Sequence, residues 1–290
     1  MKITVNAPAK INLYLDVVSR LDNGFHGIES IMQTVSLYDH VTVSAEESAR
    51  SAITVSCNVP EVPQDERNIA WKAARLYLDT FEIGSYLVDV KIDKSIPVCA
   101  GLAGGSTDAA AVLIALNSLF NEKATEKELL HCAAKLGSDV PFCLMKGTRL
   151  TENRGEVMQR VAAMPECTIL VCSSGESVST AWAYTELDRL HGDFSEGKNR
   201  RVADFIKHLE GGDINTVAEN MYNIFEDAVF PVCPLAKKSK ELLLNNGAIN
   251  AMMSGSGSSV FGIFADEGAA KKAKAALETS ERKVYLCKPQ

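Results

Sequence analysis

The chain reads as an α+β protein of two domains, and three observations predict it. Its 290 residues, at roughly 150 per domain, suffice for two hydrophobic cores. Short stretches of period-2 alternation crowd the first half, and helical periodicity takes over much of the second. The order of these segments departs from the strand and helix alternation of a parallel-sheet fold. A boundary is expected at Met164–Pro165, which gives domains 1–163 and 164–290. No internal repeat is visible.

Strands are predicted at Lys2–Val5, Ile11–Val17, His40–Ala45 and Ser51–Cys57, where side chains alternate or β-branched residues concentrate. A helix follows from about Asn68 to Phe81, because Ile69, Ala73, Leu76, Tyr77 and Phe81 fall on one helical face. Tyr86–Ile92 alternates again and feeds a glycine-rich stretch, Pro97 to Asp108, and then an Ala-rich helix ending near Phe120. Thr125 and Glu128 form a capping box for the next helix, which Gly137 is placed to end. The second domain opens with a strand at Thr168–Cys172. Helices are predicted at Ser179–Asp188, Arg201–Glu210 and Leu235–Asn245, then a strand at Ala248–Met253 and the loop SGSGSS. Strand Val260–Phe264, helix Glu267–Leu277 and strand Val284–Leu286 close the chain.

The composition is 46% hydrophobic and 23% charged, an ordinary globular balance that excludes fibrous and disordered classes. Its 37 acidic and 30 basic residues leave a net charge of −7, and no Lys/Arg run is dense enough to track a phosphate backbone. Nucleic acid is therefore not an expected partner. An anionic substrate would have to be held by backbone N–H groups and single cations. The longest apolar run, Ala109 to Leu116, is far short of the roughly 18 residues of a membrane span. The opening MKITVNAPAKINLYLDVV alternates where a signal peptide would be continuously apolar, so a cytoplasmic location is expected. Eight cysteines without a C-x-x-C pair read as buried, reduced thiols.

Four segments could carry chemistry. Pro97 to Asp108 has glycines at 101, 104 and 105 between a strand and a helix whose first turn bears Ser106, Thr107 and Asp108. Such a loop can turn successive N–H groups onto phosphates at a helix N-terminus. It lacks the Lys-Ser/Thr of a Walker A loop, and on its own it also fits a tight packing turn. In Ala7 to Asp16, alternation puts Lys10, Asn12, Tyr14 and Asp16 on one strand face and Ile11, Leu13, Leu15 and Val17 on the other. Taken alone, that pattern also describes a solvated strand face. Asp139 follows a helix stop and precedes Pro141, as either a general base or a turn residue. Met253 to Phe261 is a glycine and hydroxyl loop that also fits a hairpin turn.

The order and combination of these segments resemble the GHMP kinase superfamily over nearly the whole chain. The matching blocks are APAKINLYLDV, GFHGIESIMQTVSLYDHVTV, RNIAWKAA, IPVCAGLAGGSTDAAAVLIALN, LGSDVPF, SVSTAWAY and MSGSGSSVFG. The block around His26 narrows the resemblance to the branch acting on a cytidine-bearing acceptor. Two departures stand out. Where the family usually reads G-A-G-L-G-G-G-S-S-D, Cys99 and Ala103 replace glycines and Thr107 a serine, and Gly27 stands where an acidic residue is usual. If Cys99 or Ala103 takes φ > 0, its Cβ costs on the order of 1 kcal/mol.

The resemblance implies a ribosomal protein S5 domain 2-like N-terminal domain, a ferredoxin-like C-terminal domain, and an active site in the cleft between them. It further implies ATP-dependent phosphorylation of the 2-hydroxyl of a cytidine-diphosphate-linked methylerythritol, with Mg²⁺ whose ligands are unassigned. Asp139 would take the hydroxyl proton, and Lys10 would stabilise charge on the phosphoryl oxygens. Asn12 would orient the acceptor. The segment Pro97, Val98, Cys99, Ala100, Gly101, Leu102, Ala103, Gly104, Gly105, Ser106 and Thr107 would cradle ATP, with Asn68 and Lys94 near the adenine. Cytosine would lie between Phe25 and Tyr184 with His26 on its edge, and Thr180, Gly255, Ser256 and Gly257 would complete the acceptor site. The expected partner is a small molecule, with the protein a monomer or weak homodimer. Another GHMP small-molecule kinase and a non-catalytic nucleotide-binding relative are the alternatives. The Lys10, Asn12 and Asp139 set argues against the second, and the Phe25, His26 and Tyr184 set against the first.

Overall fold

The computed structural model describes residues 1–21, 24–153, 155, 157–192, 194 and 201–290. In chain order the elements are β1 (Lys2–Arg20), β2 (His26–Glu47), β3 (Ala52–Cys57), α1 (Ile69–Thr80), β4 (Tyr86–Asp93), α2 (Gly104–Leu119), α3 (Glu126–Leu136) and α4 (Val140–Met145). They continue with β5 (Thr148–Asn153), β6 (Val157–Arg160), β7 (Thr168–Ser173), α5 (Thr180–His191), α6 (Val202–Gly211), α7 (Ile214–Glu219), β8 (Tyr222–Asn223) and α8 (Phe225–Val229). The last are α9 (Pro234–Asn245), β9 (Asn250–Met253), β10 (Val260–Phe264), α10 (Glu267–Leu277) and β11 (Lys283–Cys287). The α+β character is as read from the sequence.

Two compact units interleave along the chain. One comprises 1–9, 38–98 and 103–145, the other 10–37, 99–102 and 146–290. The expected boundary at 163/164 falls inside the second unit. The reason is the length of β1 and β2, each of which contributes residues to both units.

In the first unit β4 lies between β2, antiparallel from His40↔Asp93 to Glu47↔Tyr86, and β3, parallel from Ala52↔Leu87 to Cys57↔Ile92. A parallel β3–β4 pair needs a crossover, and α1 supplies it. Asn68 caps α1 by accepting from Ala70 N at 2.8 Å. Small residues (Ala70, Ala73 and Ala74 on α1; Ala109, Ala110 and Ala111 on α2) are buried where these helices pack. The Thr125/Glu128 capping box opens α3 as predicted. Pro141 stands in the first turn of α4, where its missing N–H costs no helical bond. Ser138 and Asp139 lie in a turn, as one of the two readings of Asp139 expected, and the Asp139 carbonyl accepts from Cys143 N at 3.0 Å as α4 begins.

In the second unit β1 pairs in parallel with β8 (Tyr14↔Tyr222, Leu15↔Asn223) and β2 pairs with β5. A four-stranded antiparallel sheet runs β11-β7-β10-β9. β7 and β10 are buried along their whole length, and α9 and α10 pack on this sheet. Leu15, Leu170, Phe225, Val260, Phe264 and Leu277 belong to the core beneath. Full burial of each such side chain contributes about 1.5–3 kcal/mol.

Candidate active site

The Lys10 face of β1 is not solvated. Lys10, Asn12, Tyr14 and Asp16 are at most 4% exposed, and a buried ammonium persists only where partners hold it. Lys10 Nζ donates to Asn12 Oδ1 at 2.6 Å, Asn12 Nδ2 to Ser30 Oγ at 2.8 Å, and Ser30 Oγ to the Tyr14 carbonyl at 2.7 Å. This relay runs between β1 and β2 and fixes the amide, which in turn aims the ammonium.

Two glycine segments meet beside that ammonium in the second unit. Lys10 N donates to Leu102 O at 3.1 Å, hanging residues 99–102 on β1. Ser254 Oγ donates to Gly101 O at 3.0 Å and Ser259 N to Ala100 O at 3.2 Å. Gly101 has φ +76°, and a Cβ there would collide with the Ser254 carbonyl oxygen. Gly255, at φ +57°, lies so close that a Cβ would stand 3.0 Å from Gly101 O and 3.1 Å from Lys10 Nζ. Asn223 Nδ2 donates to the carbonyls of Met253 and Gly255, which holds the second loop in place. Thr180 Oγ1 and Ser256 Oγ are 2.9 Å apart.

In the first unit, α2 begins after Ala103, whose carbonyl accepts from Thr107 N at 2.9 Å. Ile69, the residue after Asn68, packs on both Gly105 and Gly137: Cβ atoms there would lie 3.6 and 3.8 Å from its methyl groups. Asn68, the start of α2 and the segment leading to Asp139 therefore converge. Beneath the loop, Lys94 Nζ is bound by Asp39 and by Asp108, the latter at 2.7 Å. Asp39 Oδ1 also accepts from Ser95 N at 2.6 Å and Ile96 N at 2.8 Å.

An aromatic cluster forms in the second unit. His26 stacks on Tyr184 with ring centroids 4.6 Å apart and planes at 19°, and Tyr184 meets Phe225 edge-on at 4.9 Å. His26 Nε2 lies 2.7 Å from Asp188 Oδ1. Phe25 is 51% exposed beside it.

The family model for the GHMP kinases N terminal domain matches residues 68–147, and that for GHMP kinases C terminal matches 204–282. The 4-diphosphocytidyl-2-C-methyl-D-erythritol kinase of Acetivibrio thermocellus is 40% identical over 285 residues, 98% of each chain. That of Lachnospira eligens is 39% identical over 269 residues, 91% of this chain and 90% of its own. This chain belongs to the 4-diphosphocytidyl-2-C-methyl-D-erythritol kinase family of GHMP kinases. A crystal structure of 4-(cytidine 5'-diphospho)-2C-methyl-D-erythritol kinase superposes with TM-score 0.82 at 29% identity, covering 99% of both chains. L. major mevalonate kinase in complex with R-mevalonate, at TM-score 0.77 and 18% identity over 100% of this chain and 97% of its own, shares the fold.

Within this kinase the structure draws together Lys10, Asn12, Gly101 and Gly255, then Thr180 with Ser256, and His26 with Tyr184. Two expectations are modified. Lys94, read as an adenine neighbour, has its ammonium engaged by Asp39 and Asp108. Burial pulls its pKa down, but the fields and hydrogen bonds of the two carboxylates outweigh that, and the net shift is upward. Asp108 moves the other way for a carboxylate: burial first, and Asp39 beside it, raise its pKa to about 7 against the pull of Lys94. The slot expected between Phe25 and Tyr184 is also altered, because His26 already covers one face of Tyr184. Among the loop substitutions, both Cys99 (φ 54°) and Ala103 (φ 57°) occupy the left-handed region, so both carry the strain anticipated for a non-glycine residue there.

Sequence reasoning passed over Ser30, Asp39, Asn223 and Asp188. Ser30 and Asp39 lie inside the matched block HGIESIMQTVSLYD, so an earlier signal existed for them. Asn223 and Asp188 sit outside every motif.

Proposed function

We propose that this kinase transfers the γ-phosphoryl of ATP to the 2-hydroxyl of 4-(cytidine 5'-diphospho)-2-C-methyl-D-erythritol, in isoprenoid precursor biosynthesis. The observation that carries the reading is Lys10: a buried ammonium aimed by Asn12 and bordered by the backbone of Gly255, which itself lies against Gly101. Phosphoryl transfer needs positioning and charge stabilisation more than covalent help. Lys10 offsets charge on the phosphoryl oxygens, Asn12 orients the acceptor, and Asp139 takes the hydroxyl proton. Backbone N–H groups of 101–107 and the N-terminus of α2 hold the ATP phosphates. Asn68, whose Oδ1 caps α1 and whose Nδ2 donates to Pro63 O at 2.6 Å, borders the adenine. Phe25 supplies the stacking face for cytosine, and His26 reads its edge.

Mg²⁺ enters with the nucleotide, neutralising phosphate charge when bound. Among the described residues no group of three His, Cys, Asp or Glu side chains could hold a metal ion. No helix among the described residues is long and apolar enough to cross a membrane. The reaction is assigned to the cytoplasm, with the protein a monomer or weak homodimer. A coupled ADP assay tests the reading with the cytidyl acceptor beside mevalonate, homoserine and galactose. ADP should appear with the first alone. Comparable rates on the others would make the chain a different small-molecule kinase, and no turnover on any would make it a binding protein.

A further inference from the structure

Tyr184 and Asp188 stand four residues apart on α5 and so project from one helix face. Between them they hold a single imidazole. Tyr184 covers the face of His26 and Asp188 takes its Nε2 at 2.7 Å, while Phe194 meets the ring edge-on at 5.8 Å and 88°. The His26 side chain is only 8% exposed. Arg20 lies 3.2 Å from the other oxygen of Asp188, which steadies the carboxylate from the solvent side. A carboxylate can only accept, so Nε2 must carry a proton, and in the neutral ring Nδ1 is then a bare acceptor. Among the described residues the bond to Asp188 is the only hydrogen bond of the ring.

We propose that Asp188 is a positioning residue for base selection. By holding His26 as the Nε2–H tautomer it presents Nδ1 as an acceptor, which pairs with the 4-amino group of a cytosine and repels the 4-carbonyl oxygen of a uracil. The inference rests on the reading that His26 faces the base of the acceptor. Nothing in the reaction chemistry requires Asp188. Its effect belongs to the choice between two pyrimidines, where a site built for one hydrogen-bond pattern leaves the other unpaired.

Two measurements on the full-length protein test this. Long-range ¹H–¹⁵N imidazole spectra of the ligand-free enzyme should show His26 protonated at Nε2 and bare at Nδ1, and Asp188→Ala should give a mixture of tautomers. A wild-type ring protonated at Nδ1 alone would overturn the proposal. Steady-state kinetics with the cytidyl substrate and its uridyl analogue supply the second arm. Asp188→Ala should raise KM for the cytidyl substrate and shrink the cytidine-over-uridine preference about tenfold, with KM for ATP unchanged. Asp188→Glu should restore part of the preference, which a merely structural role would not do. Asp188→Asn, close in shape, serves if the alanine variant folds poorly, since its amide can donate to Nε2 and reverse the tautomer. An unchanged preference in a folded variant would sink the idea. Failure of the wild type to use the cytidyl substrate would overturn the substrate reading, while the spectra would still report the tautomer.

Discussion

Lys10 Nζ donates to Asn12 Oδ1 at 2.6 Å, and Asn12 is held in turn by Ser30. The ammonium is therefore pre-aimed before any substrate arrives. Lys10→Ala should lower kcat by about 10²–10³, the scale of losing one preorganised electrostatic donor, with a much smaller effect on KM for ATP. Ser30→Ala, which loosens the amide without touching Lys10, should lower kcat by up to about tenfold. Steady-state rates for the two variants check both magnitudes and their order.

The buried cluster of Lys94, Asp39 and Asp108 gives stability a pH dependence. The folded pKa of Asp108 is raised, from an ordinary 3.8 to about 7. Between those values the unfolded chain has released a proton that the folded one keeps, so this residue's contribution to stability falls as pH rises from about 4 to about 7 and then levels. Asp108→Asn removes that contribution. The difference in Tm between wild type and variant should shift in favour of the variant across this window, as calorimetry at a series of pH values would show. Lys94→Met, which strands two buried carboxylates, should cost about 3–5 kcal/mol.

The strained loop predicts opposite outcomes at neighbouring positions. Cys99→Gly and Ala103→Gly relieve left-handed backbone strain of about 1 kcal/mol or more each, partly offset by the freedom glycine adds to the unfolded chain. Each should be neutral or stabilising in urea titrations and should retain ATP binding. Gly101→Ala should abolish it, because the new Cβ meets the Ser254 carbonyl.

Cys99 is exposed, whereas Cys132, Cys143, Cys167, Cys172, Cys233 and Cys287 are buried. Burial pushes the thiols of Cys167, Cys172 and Cys287 up to about 12. Iodoacetamide should therefore modify Cys99 first, and MgATP should protect it. Peptide mapping with and without nucleotide reads both effects. Labelling that is indifferent to MgATP would place Cys99 away from the phosphates.

What could be read from the sequence was what is local. The Thr125/Glu128 box and the apolar face of α1 depend on residues a few positions apart. The box stands as read, and of the predicted face Ala73, Tyr77 and Phe81 are buried while Ile69 and Leu76 are half-buried and Ala70, Ala74 and Leu78 join the buried side. The stretch from His26 to Leu37 escaped because Ser30, Gln33 and Thr34 are buried, and strands covered on both faces lose their alternation. α4 escaped because Pro141, in its first turn, reads as a breaker. At the site, Lys10 and Asn12 were visible as a pair, but not their burial, which comes from other strands. Asp39 meets Lys94 across 55 positions and Asp188 meets His26 across 162, distances at which no spacing rule operates.

The most direct measurement follows the transferred phosphorus itself. Incubating the protein with MgATP and the cytidyl acceptor and recording ³¹P spectra should reveal one new phosphomonoester, on the 2-oxygen of the methylerythritol, matched by ADP. In Asp139→Asn the signal should grow about 10²–10⁴ times more slowly, with ATP affinity little changed. A phosphoryl group appearing elsewhere on the acceptor, or near-normal turnover by Asp139→Asn, would contradict the reaction and the role assigned to its base.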